Sequence, residues 1–94
     1  MSYSPLREAI EKLPVPVLWR KLGLPGHVTG NCTVRSPLRD DKNNPSFSIY
    51  ANGNRWRDHG AGTDQAGDSF DFYQAITKLN ARQAWRPFID LARS

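Results

Sequence analysis

Residues 46–58 read SFSIYANGNRWRD, and this stretch determines the fold of the chain. Asn52-Gly53 divides it into two short segments in which apolar and polar side chains alternate. Asn-Gly between two alternating segments is the preferred two-residue turn of a β-hairpin, because both turn positions require a positive φ. The stretch therefore predicts a hairpin with strands over about 46–51 and 54–58.

The turn also fixes which residues face each other across the hairpin. With Asn52-Gly53 as the turn, Ile49 lies opposite Trp56, and successive side chains point to opposite faces. The face expected to pack on the core carries Phe47, Ile49, Ala51, Trp56 and Asp58. The other face, expected to be wet and cationic with one aromatic ring, carries Ser46, Ser48, Tyr50, Arg55 and Arg57.

Helices are predicted on both sides of the hairpin. Ser4, Asp68 and Asn80 are capping residues that each precede a stretch with helical spacing of apolar side chains. The predicted helices cover about 4–13, 16–23, 68–79 and 81–92. Residues 27–36 favour a third strand, and residues 60–67 are loop by composition. The expected fold class is α+β: a small antiparallel sheet with a central 46–58 hairpin, flanked by N-terminal and C-terminal helices.

Composition limits the protein to one small domain with a modest core. Ninety-four residues are too few for two cores, and 38% hydrophobic residues are too many for a disordered chain. No apolar run approaches the roughly 18 residues of a membrane span, and the N-terminus lacks the pattern of a secretory signal. One cysteine, Cys32, cannot form an internal disulfide, so we expect a cytoplasmic protein. The net charge of +4 favours polyanionic partners, nucleic acid first.

Three motifs follow one another in a specific order along the chain. They read SPLRDDKNNPSFSI over 36–49, WRDHGAG over 56–62 and GDSFDF over 67–72. This order resembles the zinc-binding domain of DnaG-type bacterial and phage primases, over about residues 27–92. That family reads roughly Cys-Pro-Phe-His, then Pro-Ser-Phe and a hairpin, then Cys-Phe-Gly-Cys-Gly and Gly-Asp before a helix. The resemblance implies a zinc-ribbon-like fold for residues 1–94 as a single domain.

The resemblance also implies that the metal site is degenerate. The positions where the family places its zinc ligands are here Ser36, Arg39, Asp58 and Ala61. A structural zinc site needs four ligands, mostly thiolate and imidazole, so we expect no metal and no cofactor. His27, Cys32 and His59 could join Asp58 in a replacement site, but their spacing is not that of a metal site. We expect two surface histidines and a small buried cysteine instead.

Something else must then stabilise the region that zinc would hold. In small metallo-domains the binding energy of the metal is folding energy, on the order of 10 kcal/mol. We predict a salt bridge or hydrogen bonds from Arg39 to Asp58, and buried area from Trp19, Trp56 and Trp85.

No residues form a recognisable catalytic arrangement in the sequence. Asp40-Asp41 is an adjacent pair in a polar turn, which is typical of solvated turn formers. The glycines of 60–67 are not followed by the Gly-Lys-Ser or Gly-Lys-Thr of a phosphate-binding loop. We therefore expect a protein that is not an enzyme.

The family reading favours single-stranded DNA as the partner, in DNA replication. The residues that would bind it are Arg35, Arg39, Lys42, Tyr50, Arg55 and Arg57. Arginine contacts phosphate and tyrosine stacks on bases. Alternatively, Tyr50 and Arg55 form a solvated cross-strand pair that only supports the hairpin.

A second hypothesis comes from a different class of protein. A domain without its metal could be an adaptor that docks to a helicase or a polymerase subunit through Trp85 or Phe88. Primases carry this domain at the N-terminus of a longer chain, so we also expect that this polypeptide alone makes no primers.

Overall fold

Four helices and a four-stranded antiparallel sheet make up residues 4–38, 45–59 and 65–94, which are the residues that the computed structural model describes. The helices are α1 (Pro5–Lys12), α2 (Val15–Lys21), α3 (Ser69–Thr77) and α4 (Ala81–Ala92). The strands are β1 (Cys32–Val34), β2 (Phe47–Tyr50), β3 (Arg55–Asp58) and β4 (Gln65–Gly67). The predicted α+β class is confirmed. None of the helices in these ranges is long and apolar enough to pass through a membrane.

The sheet follows the order of the chain. Its strands lie in the order β1-β2-β3-β4, and each pairs antiparallel with its neighbour in sequence. The predicted register of the hairpin is confirmed, with Phe47 opposite Asp58 and Ile49 opposite Trp56. Alternation then buries one face of the hairpin and exposes the other.

The turn of the hairpin keeps the predicted Asn-Gly geometry but extends further than expected. Asn52 and Gly53 have φ of 58° and 92°, and the Asn54 N–H donates to the Ala51 carbonyl at 3.2 Å. Ala51 also has a positive φ, 54°, and is exposed. The prediction that Ala51 lies on the buried face is therefore wrong, because the strand ends at Tyr50 and the chain has already left the sheet plane.

Two strands differ from the sequence prediction. Only Cys32–Val34 of the predicted 27–36 strand is paired, because Thr29 hydrogen-bonds locally instead. Its hydroxyl donates to the Asn31 carbonyl at 3.1 Å, and its backbone N–H and carbonyl both lie 3.4 Å from the Cys32 sulfur. In the stretch predicted as loop, Gln65–Gly67 pairs with β3, since pairing to an available strand overrides low β propensity.

Three of the four helices begin at capping residues that the sequence predicts. Ser4 accepts a hydrogen bond from the Arg7 N–H, and Asp68 and Asn80 each form a reciprocal capping box with the residue three positions on. The helices match their predicted bounds to within two residues, and α4 continues through Pro87.

The core centres on an aromatic cluster between the sheet and the helices. Its members are Trp19, Phe47, Trp56 and Phe72, with ring centroids 5.4–6.0 Å apart. α1 packs against α4, and α2 against α3. Trp19 and Trp56 are buried as predicted, but Trp85 is 41% exposed, so its predicted burial is wrong. The buried residues of α4 are Ala84, Phe88 and Ile89, and Trp85 is not among them although it falls between Phe88 and Ile89 around the helix.

Candidate functional site

A buried polar pair, Ser36 and Asp58, lies at two of the positions where the resembling family places its zinc ligands. Ser36 follows β1 by two residues, and Asp58 is the last residue of β3. The Ser36 hydroxyl donates a 2.7 Å hydrogen bond to Asp58 Oδ2, and the Leu38 backbone N–H donates to Ser36 Oγ at 3.1 Å. Both residues are almost fully buried, at 6% and 3% exposure. This pair therefore links the segment after β1 to the end of β3.

The other two positions where that family places ligands, Arg39 and Ala61, lie outside the described residues, as does Lys42. The predicted bridge from Arg39 to Asp58 consequently stays a prediction. Among the residues that the structure describes, no three His, Cys, Asp or Glu side chains are grouped closely enough to hold a metal ion. Both histidines are exposed, as predicted, and Cys32 is half-buried rather than buried.

The wet side of the sheet forms a continuous surface that we call the outer face. It is defined by Thr33 of β1, Ser48 and Tyr50 of β2, and Arg55 and Arg57 of β3. Tyr50 is 42% exposed and lies opposite Arg55, and both arginines are exposed. The rest of the outer face consists of the small side chains of Thr33 and Ser48, whose hydroxyls are 3.3 Å apart. The structure thus brings together three of the six predicted binding residues.

Arg35 and His59 extend the outer face beyond the paired strands. The His59 N–H donates to the Ser46 carbonyl at 2.9 Å, so the β2–β3 pairing continues one residue past Asp58. Alternation then places His59 on the side of Arg57, and Arg35 on the side of Thr33. Both are exposed. Arg35 was predicted, whereas His59 was interpreted only as a surface group, although the alternation of 55, 57 and 59 could have placed it here.

One end of the outer face borders a carboxylate that has an unusual environment. Burial raises the pKa of Asp71 above that of an ordinary aspartate, and the negative charge of Asp68 raises it further. The Asp68 backbone N–H, 3.0 Å from Asp71 Oδ2, and the positive charge of Arg55 act in the opposite direction but do not cancel the rise. Arg55 therefore interacts electrostatically with Asp71, whose carboxylate belongs to the capping box of α3.

A cationic, open, flat surface with one aromatic ring can contact phosphates and stack one base. Arginine donors contact phosphate oxygens without reading sequence, and an exposed aromatic side chain offers a stacking platform to any base. Among the described residues of the outer face, no nucleophile lies in contact with a base.

The helical side of the molecule offers a different exposed feature. Trp85 is accessible on α4 beside Arg82 and Arg86, whereas Phe88 is fully buried. The expectation that Phe88 could carry a contact to a partner is therefore wrong, and Trp85 alone remains available for that role.

No protein family, curated protein or solved structure matches this chain.

Proposed function

We propose that the domain is a non-catalytic module that binds single-stranded nucleic acid, DNA in the first place, related to the template-binding domain of DNA primases and acting in DNA replication. The observation that carries the proposal is the outer face. Tyr50, Arg55 and Arg57 lie together and exposed on one side of a sheet whose other side is the core.

The spacing of the cations suits an extended polyanion. Arg55 and Arg57 are two residues apart on β3, which separates them by about 7 Å along the strand. Arg35 follows β1, which lies two strands away, or about 10 Å across the sheet. The three guanidinium groups can therefore reach phosphates of more than one nucleotide, while Tyr50 stacks on a base between them.

The low, small-residue floor supports the same proposal. Thr33, Ser48 and Ala66 lie in the row of Arg57, and none of them projects a large side chain that would lift a strand away from the sheet. The described side chains of this row therefore leave room for a chain that binds without sequence preference.

The experiment is fluorescence anisotropy of a labelled single-stranded oligonucleotide at several salt concentrations. We expect binding that weakens as salt rises, because cation release drives the association. Arg55→Ala and Arg57→Ala should each weaken binding and reduce the slope of log K against log salt by about 0.7. Arg86→Ala is the matched control, since it removes one exposed arginine from α4, where it pairs with Asp90 at 3.5 Å.

Two results would contradict the proposal. One is the absence of binding at low salt, and the other is an equal loss of affinity in Arg57→Ala and Arg86→Ala, which would indicate net charge alone. An RNA of the same sequence, and a duplex, show which nucleic acid is preferred. If Arg55→Ala lowers stability without changing affinity, Tyr50 and Arg55 only support the hairpin.

A second candidate function is a protein–protein adaptor in a replication or mobile-element complex. The exposure of Trp85 next to two arginines favours it, because Trp and Arg are enriched among residues that dominate interface energies. No DNA binding at low salt, together with self-association that Trp85→Ala abolishes, would support this alternative.

A further inference from the structure

A cleft of about 320 Å³ opens beside β1, at the edge of the sheet. We call it the β1 cleft. β1 is an edge strand, so nothing in the sheet pairs with its far side, and the segment 25–28 forms the opposite wall. Its inner surface is mostly apolar and includes Val28, Val34 and the ring of Trp19. The outer face and the β1 cleft therefore lie on the two sides of the same strand.

The walls of the β1 cleft are held in place before any ligand arrives. The Trp19 indole N–H donates to the Pro25 carbonyl at 3.1 Å, which ties the loop after α2 to the core. The Trp19 ring is stacked on Phe72 with 6.0 Å between centroids and 9° between planes. Because these contacts fix one wall and β1 fixes the other, an apolar group can enter without a large rearrangement.

Polar groups lie at the mouth of the cleft. His27 and Arg35 are both exposed and both line it. Arg35 also continues the outer face, so the two surfaces share one guanidinium group. An apolar interior beside a cationic rim complements a flat uncharged ring that is attached to an anionic chain, which is the chemistry of an unpaired nucleotide.

We propose that the β1 cleft receives one unpaired base of a single strand whose phosphates lie on the outer face, with Arg35 contacting the phosphate next to that base. This inference rests on the proposed function and adds a second place of contact to it. The volume is at the lower end of ligand-site sizes, which suits one ring system rather than a folded segment.

The lining also indicates how selective the cleft is. The Ser36 hydroxyl, the polar side chain deepest in the lining, already donates to Asp58 and accepts from Leu38. Specific readout of a base needs hydrogen bonds to its edges, and the side chains of Val28 and Val34 in the walls carry no donor or acceptor. We therefore expect that removing the base weakens binding much more than exchanging one base for another.

The experiment is an abasic scan of a short labelled oligonucleotide against the wild-type protein and Val34→Phe, which fills the cleft from β1. Tyr50→Ala identifies the position whose base stacks on Tyr50, because that position loses its sensitivity in this variant. In the wild type, one further position should be sensitive, with affinity falling about fivefold or more when its base is missing. In Val34→Phe that position should become as insensitive as its neighbours, while the arginine dependence remains. Ile10→Phe is the matched control, because Ile10 is also a half-buried apolar residue but lies on α1 and belongs to neither the outer face nor the lining of the β1 cleft.

A measurement without any variant covers the case that Val34→Phe does not fold. 2-Aminopurine placed at the sensitive position should brighten on binding, since it leaves the stack of its neighbours, and 2-aminopurine at the flanking positions should not. No sensitive position apart from that of Tyr50 and no brightening, with Arg57→Ala still weakening binding, would overturn the role of the β1 cleft and leave the proposed function standing. Loss of the Arg57 dependence as well would overturn both.

Discussion

The hydroxyl of Ser36 and the carboxylate of Asp58 form a 2.7 Å hydrogen bond in the interior of the domain. They stand at two positions where the resembling family places zinc ligands, and their hydrogen bond joins the segment after β1 to the end of β3. Such a hydrogen bond contributes less to the free energy of unfolding than metal binding does. Removing the donor from a buried carboxylate nevertheless costs more than the net contribution of the bond, because the carboxylate stays desolvated.

Ser36→Ala should therefore lower the free energy of unfolding by about 1–3 kcal/mol, because Asp58 loses a buried donor and the Leu38 N–H loses its acceptor. Urea denaturation measures the change. Thr33→Ala is the control, since it also removes one hydroxyl. The Thr33 hydroxyl lies 3.3 Å from the Ser48 hydroxyl on the exposed outer face. An equal loss of unfolding free energy in the two variants would show that burial gives the Ser36–Asp58 hydrogen bond no additional stabilising effect.

Gly67→Ala should destabilise the domain by about 1–3 kcal/mol, since overpacking forces neighbours to move. A Cβ at this position would lie 2.5 Å from the Asp71 Cβ and closer still to its carboxylate, so the capping box of α3 would have to shift. Thermal unfolding followed by far-ultraviolet circular dichroism measures the loss. Ala66→Ser, one residue earlier on an exposed position, should leave the melting temperature nearly unchanged.

Trp19 and Trp85 should respond very differently to truncation. Trp19→Ala removes a ring that is 4% exposed and stacked in the aromatic cluster, so about 3–5 kcal/mol should be lost. Trp85→Ala removes a ring that is 41% exposed and should change stability by less than about 1 kcal/mol. Chemical denaturation of both variants checks this, and a large loss in Trp85→Ala would mean that α4 is buried on that side.

The raised pKa of Asp71 gives a pH-dependent prediction. A carboxyl whose folded pKa lies above its unfolded value stabilises the fold fully below the unfolded pKa, and that stability is lost as pH rises through the folded pKa. Asp71→Asn removes this titration, so the variant should gain stability relative to the wild type as pH rises from about 3 to 7. Denaturation at several pH values measures the difference. If Asp71→Asn instead loses stability relative to the wild type as pH rises over that interval, the fold favours the ionised carboxylate.

The hairpin was predictable because its signals are local. Asn52-Gly53 specifies the turn and alternation specifies the faces, so the opposition of Tyr50 and Arg55 follows from the sequence alone. The capping residues Ser4, Asp68 and Asn80 are equally local. These signals account for the success with most helix bounds and with the central part of the outer face.

The remaining features depend on contacts between distant segments. Gln65–Gly67 has little β propensity and becomes a strand only because β3 offers it an edge. α4 carries apolar residues around too wide an arc for periodicity to show which of Trp85 and Phe88 is buried, and packing against α1 and α3 decides it. The Ser36 partner of Asp58 could not be selected either, since opposite charge favoured Arg39 as the partner.

The packing of the first helix on the last has a consequence for protein synthesis. The sheet is built from consecutive segments, so it can assemble while the nascent chain is still being extended. α1, by contrast, precedes the strands in the chain, whereas its neighbour α4 follows all of them. On the ribosome the apolar side of α1 that packs on α4 therefore stays exposed until residues 81–92 have left the exit tunnel. A stalled chain that ends before residue 81 would be a target for chaperones.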